Sequence, residues 1–181
     1  MTLEQEQNLE QLLKDWRDER HLTVESQREG LMGNLCEEMA EYYRAKNRYE
    51  KIDALCDISV FSYNSLNDDI ESLWENFNNN LLKRRFLPLS IVDEISQVDY
   101  IIRRPTIFDE NKQIYRLIKA CEKEVTEMKY DFYQCMLETI KEISSRTGHY
   151  DENIHKFVKD TTPEAVKKWY KADYSKCKIM E

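Results

Sequence analysis

Six acidic side chains crowd the stretch EEMAEYYRAKNRYEKIDALCD, residues 37–57: Glu37, Glu38 and Glu41, then Glu50, Asp53 and Asp57. Carboxylates spaced three, four and seven residues apart share one side of a helix. Hard oxygen donors gathered in this way are the material of a Mg²⁺ site. In a chain with 34% charged residues, the simpler reading of such a cluster is a solvated helix surface. What separates the two readings is where the acids lie relative to the apolar positions.

They do not lie opposite them. The row Leu31, Leu35, Glu38, Tyr42 places Glu38 inside the apolar seam of one helix, with Glu37 and Glu41 beside it. The row Glu50, Asp53, Asp57, Val60, Asn64 borders the stripe of Ile52, Leu55 and Ser59 on the next helix. A solvated face keeps its charges away from such rows. The connection around Asn47 is short, and helices joined so closely pack antiparallel, so the two acidic ends face each other. Like charges brought to a partly buried seam repel, and desolvation costs each ion several kcal/mol. A hard divalent cation removes that difficulty, because Mg²⁺ takes carboxylate oxygens and keeps waters to offer a phosphate.

The elements that must carry these acids read as helices. Only three glycines and three prolines occur in 181 residues, far below ordinary usage. A first helix is expected over Leu3–Arg20 on the stripe Leu9, Leu12, Leu13, Trp16. A second follows the N-cap Thr23 and runs to about Asn47, with Leu31, Leu35, Met39 and Tyr42 facing inward. A third runs from Tyr49 to as far as Phe77, through Ile52, Leu55, Ser59, Tyr63, Leu66, Ile70 and Leu73. The NFNNN run closes it, and RRFLPLS is a connection. Ser90 and Asp93 start a shorter helix that ends at Arg103–Pro105. A long helix fills Asp109 to about Ser145, and Gly148 breaks the pattern. Thr162 followed by Pro163 is an N-cap with proline at the first helical position. The tail WYKADYSKCKIME is expected to be irregular. The expected fold is therefore all-α, one domain over residues 1–181, a bundle of about five helices.

A net charge of −8 argues against general binding to a nucleic-acid backbone. No apolar run approaches the ~20 residues of a membrane span, and MTLEQEQNLEQLL lacks the pattern of a secretory signal. The five cysteines are scattered, with no C-x-x-C pair, so neither a zinc site nor a disulfide framework is indicated. The expected location is cytoplasmic, with no membrane and no nucleic-acid partner.

The arrangement EExxE followed by ExxD on consecutive helices, here Glu37, Glu38 and Glu41, then Glu50 and Asp53, resembles the all-α nucleoside triphosphate pyrophosphatases. That group contains the MazG-like proteins, the dimeric dUTPases and phosphoribosyl-ATP pyrophosphatase. The extended form from Glu50 to Asp57, with Tyr63 and Leu66 after it, is most similar to the MazG-like members with dUTPase-type activity. The close resemblance covers residues 31–66. It implies that Glu37, Glu38, Glu41, Glu50 and Asp53 are the catalytic acids and Mg²⁺ ligands, with Mn²⁺ as a substitute. Asp57 would be a sixth ligand or a group holding one, and one carboxylate could take a proton from the attacking water. It further implies hydrolysis of a nucleoside triphosphate, dUTP foremost, to the monophosphate and pyrophosphate, by a homodimer or higher assembly. The rival reading, of a different class, is a non-enzymatic helical adaptor or regulatory protein whose acidic patch binds a cation or a basic partner.

Candidate cations for the distal phosphates are Arg84 and Arg85, Arg103 and Arg104, or Arg146 with Ser145. In the tail, Lys167, Lys168 and Lys171 interleave with Trp169 and Tyr170 and could fold over a nucleotide. His21, His149 and His155 stand apart from the acids in sequence and are given no catalytic part. Cys36 and Cys56, next to motif acids, are expected to be small buried fillers. Trp16, Trp74 and some of the tyrosines are candidates for stacking on a base.

Overall fold

The computed structural model describes residues 1–82, 90–104, 109–154 and 156–180. Its helices begin where short polar side chains can satisfy the free N–H groups of a first turn. Helix α1 (Leu3–Glu19) opens on a reciprocal capping box of Thr2 with Gln5, and α2 (Val24–Arg44) on one of Thr23 with Ser26. Asn47 caps α3 (Arg48–Asn64), and Asp69 accepts from the Ser72 amide at 3.0 Å at the start of α4 (Ile70–Leu82). Ser90 caps α5 (Ile91–Ile102), Asp109 caps α6 (Glu110–Glu127) and Asp131 caps α7 (Phe132–Ser145). A hairpin follows, β1 (Gly148–Asp151) antiparallel to β2 (Lys156–Lys159), with Gly148 opposite Lys159. Thr162 then caps the single turn of α8 (Pro163–Val166), and a 3₁₀ turn covers Tyr174–Cys177.

Helix α3 is the axis of the fold. Ile52, Leu55, Cys56, Ile58, Ser59, Val60, Ser62 and Tyr63 are all buried, so beyond its exposed first turn it has no solvent face, as befits a helix enclosed by others. It packs against α1, α2, α6 and α7. Ser59 and Ser62 return their hydroxyls to carbonyls four residues back, which satisfies them inside the core. Beside Tyr63 lies a buried ionic knot. Glu6 accepts from the Tyr63 hydroxyl at 2.6 Å and from Lys119 Nζ at 2.9 Å, tying α1 to α3 and α6. Helix α2, by contrast, buries only Leu31 and Leu35 fully.

The all-α class is as expected, but eight α-helices are present among the described residues rather than about five. The expected helix from Tyr49 to Phe77 is two. Arg28 Nε donates to the Ser65 carbonyl at 2.7 Å and Arg17 reaches the Asn64 carbonyl. Asn67 accepts from Asn111 Nδ2 at 2.7 Å. These partners compensate the carbonyls freed at the end of α3, and Asx side chains favour such breaks. The expected helix from Asp109 to Ser145 is also two. Lys129 sits in the left-handed region at φ 72°, with Tyr130 N–H on the Val125 carbonyl and Lys129 N–H on that of Thr126. That is a Schellman stop made without glycine. Gly148 opens β1, where a Cβ would meet the Val158 carbonyl oxygen at 2.3 Å. The tail is not merely irregular. Asp131 N–H donates to the Cys177 carbonyl and Ile179 N–H to that of Lys129, which docks it on the start of α7. Among the described residues no helix is long and apolar enough to cross a membrane.

Candidate functional site

Helices α2 and α3 fold back on one another across residues 45–47, and their packing brings most of the expected acids to one seam. Glu38, Asp53 and Asp57 are partly buried, while Glu37 and Glu41 lie exposed at the edge. Glu38 is the centre of the group. Burial first, then the negative charges of Asp57, Glu41, Asp53 and Glu37, push its carboxyl pKa up to about 8. Its Oε2 is buried with no hydrogen-bond partner. Asp57 is pushed up to about 7 by burial and by Asp53 and Glu142, against the pull of Arg146 and Lys171. Two carboxyls on facing helices thus resist ionisation at neutral pH, and one Glu38 oxygen lacks a partner.

The opposite wall is cationic and comes from the end of the chain. Arg146, just past α7, donates to Glu142 Oε1 at 2.8 Å, and its charge bears on Asp57. Lys159 closes β2. Burial first, then the neighbouring Arg146, lower its pKa, and Asp57 and Glu38 work in the other direction. Lys171 bridges Glu142 Oε1 at 3.1 Å and Asp53 Oδ2 at 3.7 Å. Burial opposes its charge, yet Asp53 and Glu142 hold its pKa above that of a free lysine. Tyr174 donates to Asp53 Oδ1 at 2.6 Å. A cavity of about 440 Å³ shares Lys159 with this wall and is lined otherwise by Thr147, Gly148, His149 and Asp160–Thr162.

Glu50 lies one helical turn before Asp53, and its oxygens are engaged at the start of α3. Its Oε2 accepts from the Lys46 amide at 2.6 Å and its Oε1 from Asn47 Nδ2 at 2.8 Å, while Asn47 Oδ1 caps the Glu50 amide. It is exposed and serves the start of α3. Arg103 pairs with Asp99 one turn earlier, and Arg104 covers the Tyr100 ring. Arg84, Arg85 and His155 lie outside the described residues. Ser145 holds the tail, accepting from the Tyr170 amide at 2.8 Å. Trp169 lies 6.0 Å from the Arg146 guanidinium, its indole N–H buried and unpartnered. Of the two cysteines expected as buried fillers, Cys56 is buried but Cys36 is exposed, because α2 turns that side outward.

Glu142, Lys159 and Tyr174 are the members of the site that residue spacing did not single out. The Glu142–Arg146 pair carries an i,i+4 signal on α7. Lys159 and Tyr174 carry none, since a hairpin and a docked tail bring them to α3 from more than a hundred residues away.

Glu38 Oε2 is the one oxygen of this group that is buried without a partner among the described residues, and the neighbouring carboxylates surround it with like charge. As they stand, no three His, Cys, Asp or Glu side chains among the described residues converge as ligands. Compared with known proteins, the sequence matches no family model, no curated protein and no solved structure.

Proposed function

We propose that the chain is a Mg²⁺-dependent nucleoside triphosphate pyrophosphohydrolase, with Mn²⁺ as a substitute, related to the MazG-like and dimeric dUTPase-like enzymes and acting foremost on dUTP. The observation that carries this reading is the opposition of two walls. Glu38 and Asp57 are crowded carboxyls in a partly buried seam, and the charges of Arg146, Lys159 and Lys171 act on that seam. An adaptor patch needs acids on an open surface. A seam whose acids are crowded enough to retain protons, opposed by cations, suits a ligand that carries both signs, and a metal–polyphosphate is such a ligand.

Glu38, Asp53 and Asp57 would hold the cation, with Glu37 and Glu41 adding field from the edge. When bound, Mg²⁺ supplies charge neutralisation on the phosphates and a water of lowered pKa. Arg146, Lys159 and Lys171 would take the phosphate oxygens and fix the chain of phosphorus atoms for in-line attack, a transition state governed by positioning and charge. The cavity beside Lys159, with Thr147, Thr161 and Thr162 in its lining, would give room for the part of the nucleotide that does not react.

The test is pyrophosphate release from dUTP, dCTP, dTTP, UTP and modified purine triphosphates, with Mg²⁺, with Ca²⁺ and after EDTA. Release with Mg²⁺, weak with Ca²⁺ because the larger ion tolerates looser coordination, is the expected result. No release from any nucleotide, or undiminished release after EDTA, would overturn the reading; the former would favour the helical adaptor.

A further inference from the structure

We propose that Cys135 and Cys177 form a redox latch: hydrogen peroxide joins them in a disulfide that fastens the tail of the chain against α7 and α3, and a thiol reductant releases it. The proposal is independent of the ligand that the α2–α3 seam takes.

Spacing along the chain pairs no cysteines, yet the docked tail brings these two together. Both are buried free thiols. One residue holds both backbones: the Asp131 amide donates to the Cys177 carbonyl at 2.8 Å, and the Asp131 carbonyl accepts from the Cys135 amide at 3.0 Å. Cys135 thus lies at the start of α7, against the 3₁₀ turn that ends in Cys177. The thiols meet there. Burial raises the pKa of both; Cys177 raises that of Cys135 further, and the hydrogen bond from Cys135 opposes the rise at Cys177. Cys56 also lies near Cys135, but it is enclosed in α3 and gains no access when the tail lifts.

Buried thiols with raised pKa react slowly, so the pair is at rest while the tail is docked. Of residues 170–180 only Tyr174 and Cys177 are buried. The rest is held by discrete polar anchors: Glu142 on the Ala172 amide, Glu138 on the Asp173 amide and the Tyr170 hydroxyl, and the Lys129 carbonyl on the Ile179 amide. Such a segment opens locally at less cost than the helices beneath it. Opening frees Cys177, which leaves with the tail. Its thiolate attacks one oxygen of hydrogen peroxide; the O–O bond breaks, a sulfenic acid forms, and the other oxygen leaves as water. On redocking, the Cys135 sulfur attacks the sulfenic sulfur; the S–S bond forms, the S–O bond breaks, and the hydroxyl leaves as water with the Cys135 proton. Two thiols and one peroxide become one disulfide and two waters. The bond keeps Lys171 on Glu142 and Tyr174 on Asp53, so it sets how long the tail covers that end of the seam.

The experiment uses the full chain carrying Cys36→Ser, which removes the exposed thiol. The reduced protein is treated with hydrogen peroxide, its remaining thiols are alkylated, and the products are mapped by peptide mass spectrometry. Hydrogen exchange is then compared between the oxidised and reduced forms. The expected main product is a Cys135–Cys177 cross-link that dithiothreitol reverses. Exchange at the Ile179 amide should slow by about tenfold or more, well within what a cross-link closing a loop of this length supplies. Tyr170→Phe, which loosens the tail at Glu138, should speed cross-linking about tenfold, the effect of losing one charge-assisted hydrogen bond. A Cys56–Cys135 link, or oxidised cysteines with no Cys135–Cys177 link, would overturn the proposal. So would unchanged exchange at Ile179 after linking, or equal rates with and without Tyr170→Phe, since the thiols would then react without the tail moving. Should Tyr170→Phe fail to melt cooperatively, the cross-link map and the Ile179 exchange decide alone.

Discussion

Asp57 on α3 is the acid whose charge bears most heavily on Glu38 of α2. The pair joins a helix buried along most of its length to one that buries two residues fully, and each carboxyl is held at a pKa where neutral water leaves it largely or partly protonated.

Glu38→Gln keeps the shape of the side chain and removes its charge. Turnover should fall by about a hundredfold, equivalent to about 3 kcal/mol of transition-state stabilisation. Stability in EDTA at pH 8 should hold or rise, because repulsion from Asp57 is relieved. Steady-state pyrophosphate release and thermal melts measure the two effects. A large loss of apo stability would show that Glu38 serves a structural ion pair.

The same carboxyls set the pH dependence of the apo protein. Glu38 and Asp57 have folded pKa values of about 8 and about 7, above their ordinary 4.5 and 3.8. The native state therefore binds more protons than the unfolded chain between about pH 4 and pH 8. Stability from these two groups is fully present below pH 4 and is lost as pH rises through 7 to 8. Melts in EDTA should show Tm falling from pH 5.5 to pH 8.5, by less in Glu38→Gln, while excess Mg²⁺ flattens the fall by replacing the protons.

Glu50→Ala should separate capping from chemistry. Loss of its bonds to Lys46 and Asn47 should cost about 1 kcal/mol of stability, or about 2–4 °C in Tm for a chain of this size. The loss of turnover should be far smaller than that of Glu38→Gln. An equal loss would bring Glu50 into the site during turnover.

Lys159→Met should act on substrate more than on metal. With one phosphate contact gone, nucleotide KM should rise about tenfold, in line with a charge-assisted bond of roughly 1.5–3 kcal/mol. Mn²⁺ affinity without nucleotide should hold or improve slightly. Nucleotide-concentration series at saturating Mg²⁺ check the first effect and Mn²⁺ titration the second.

The chain should be a dimer or larger. Tyr43 is 68% and Tyr49 46% exposed beside a helix with little of its own surface buried, leaving apolar area for a second copy to cover. Multi-angle light scattering at micromolar concentration measures this, and a fully active particle of about 22 kDa would contradict it.

What could be read from residue order was local. Thr23, Ser90 and Thr162–Pro163 announce helices by their own chemistry, and Glu38 betrays the seam by interrupting Leu31–Leu35–Tyr42. The stops after Asn64 and Glu127 were hidden because their partners are elsewhere or unconventional: Arg28 and Asn111 in one case, a lysine in a glycine's conformation in the other. The hairpin and tail were hidden for the same reason. Nothing near Lys159 or Tyr174 in sequence says that each ends beside α3. Glu50 finds its partners locally, at the amides of its own helix start.

The unequal anchoring of α2 and α3 gives the two halves of the seam different clocks. Amides of α3 from Ile52 onward, enclosed by other helices, can exchange hydrogen with solvent only when the whole fold opens. Those of α2 can exchange through its local detachment. A ligand that bridges the seam must suppress that detachment first, so its footprint in hydrogen exchange should fall on residues 31–44, with the already silent α3 unchanged.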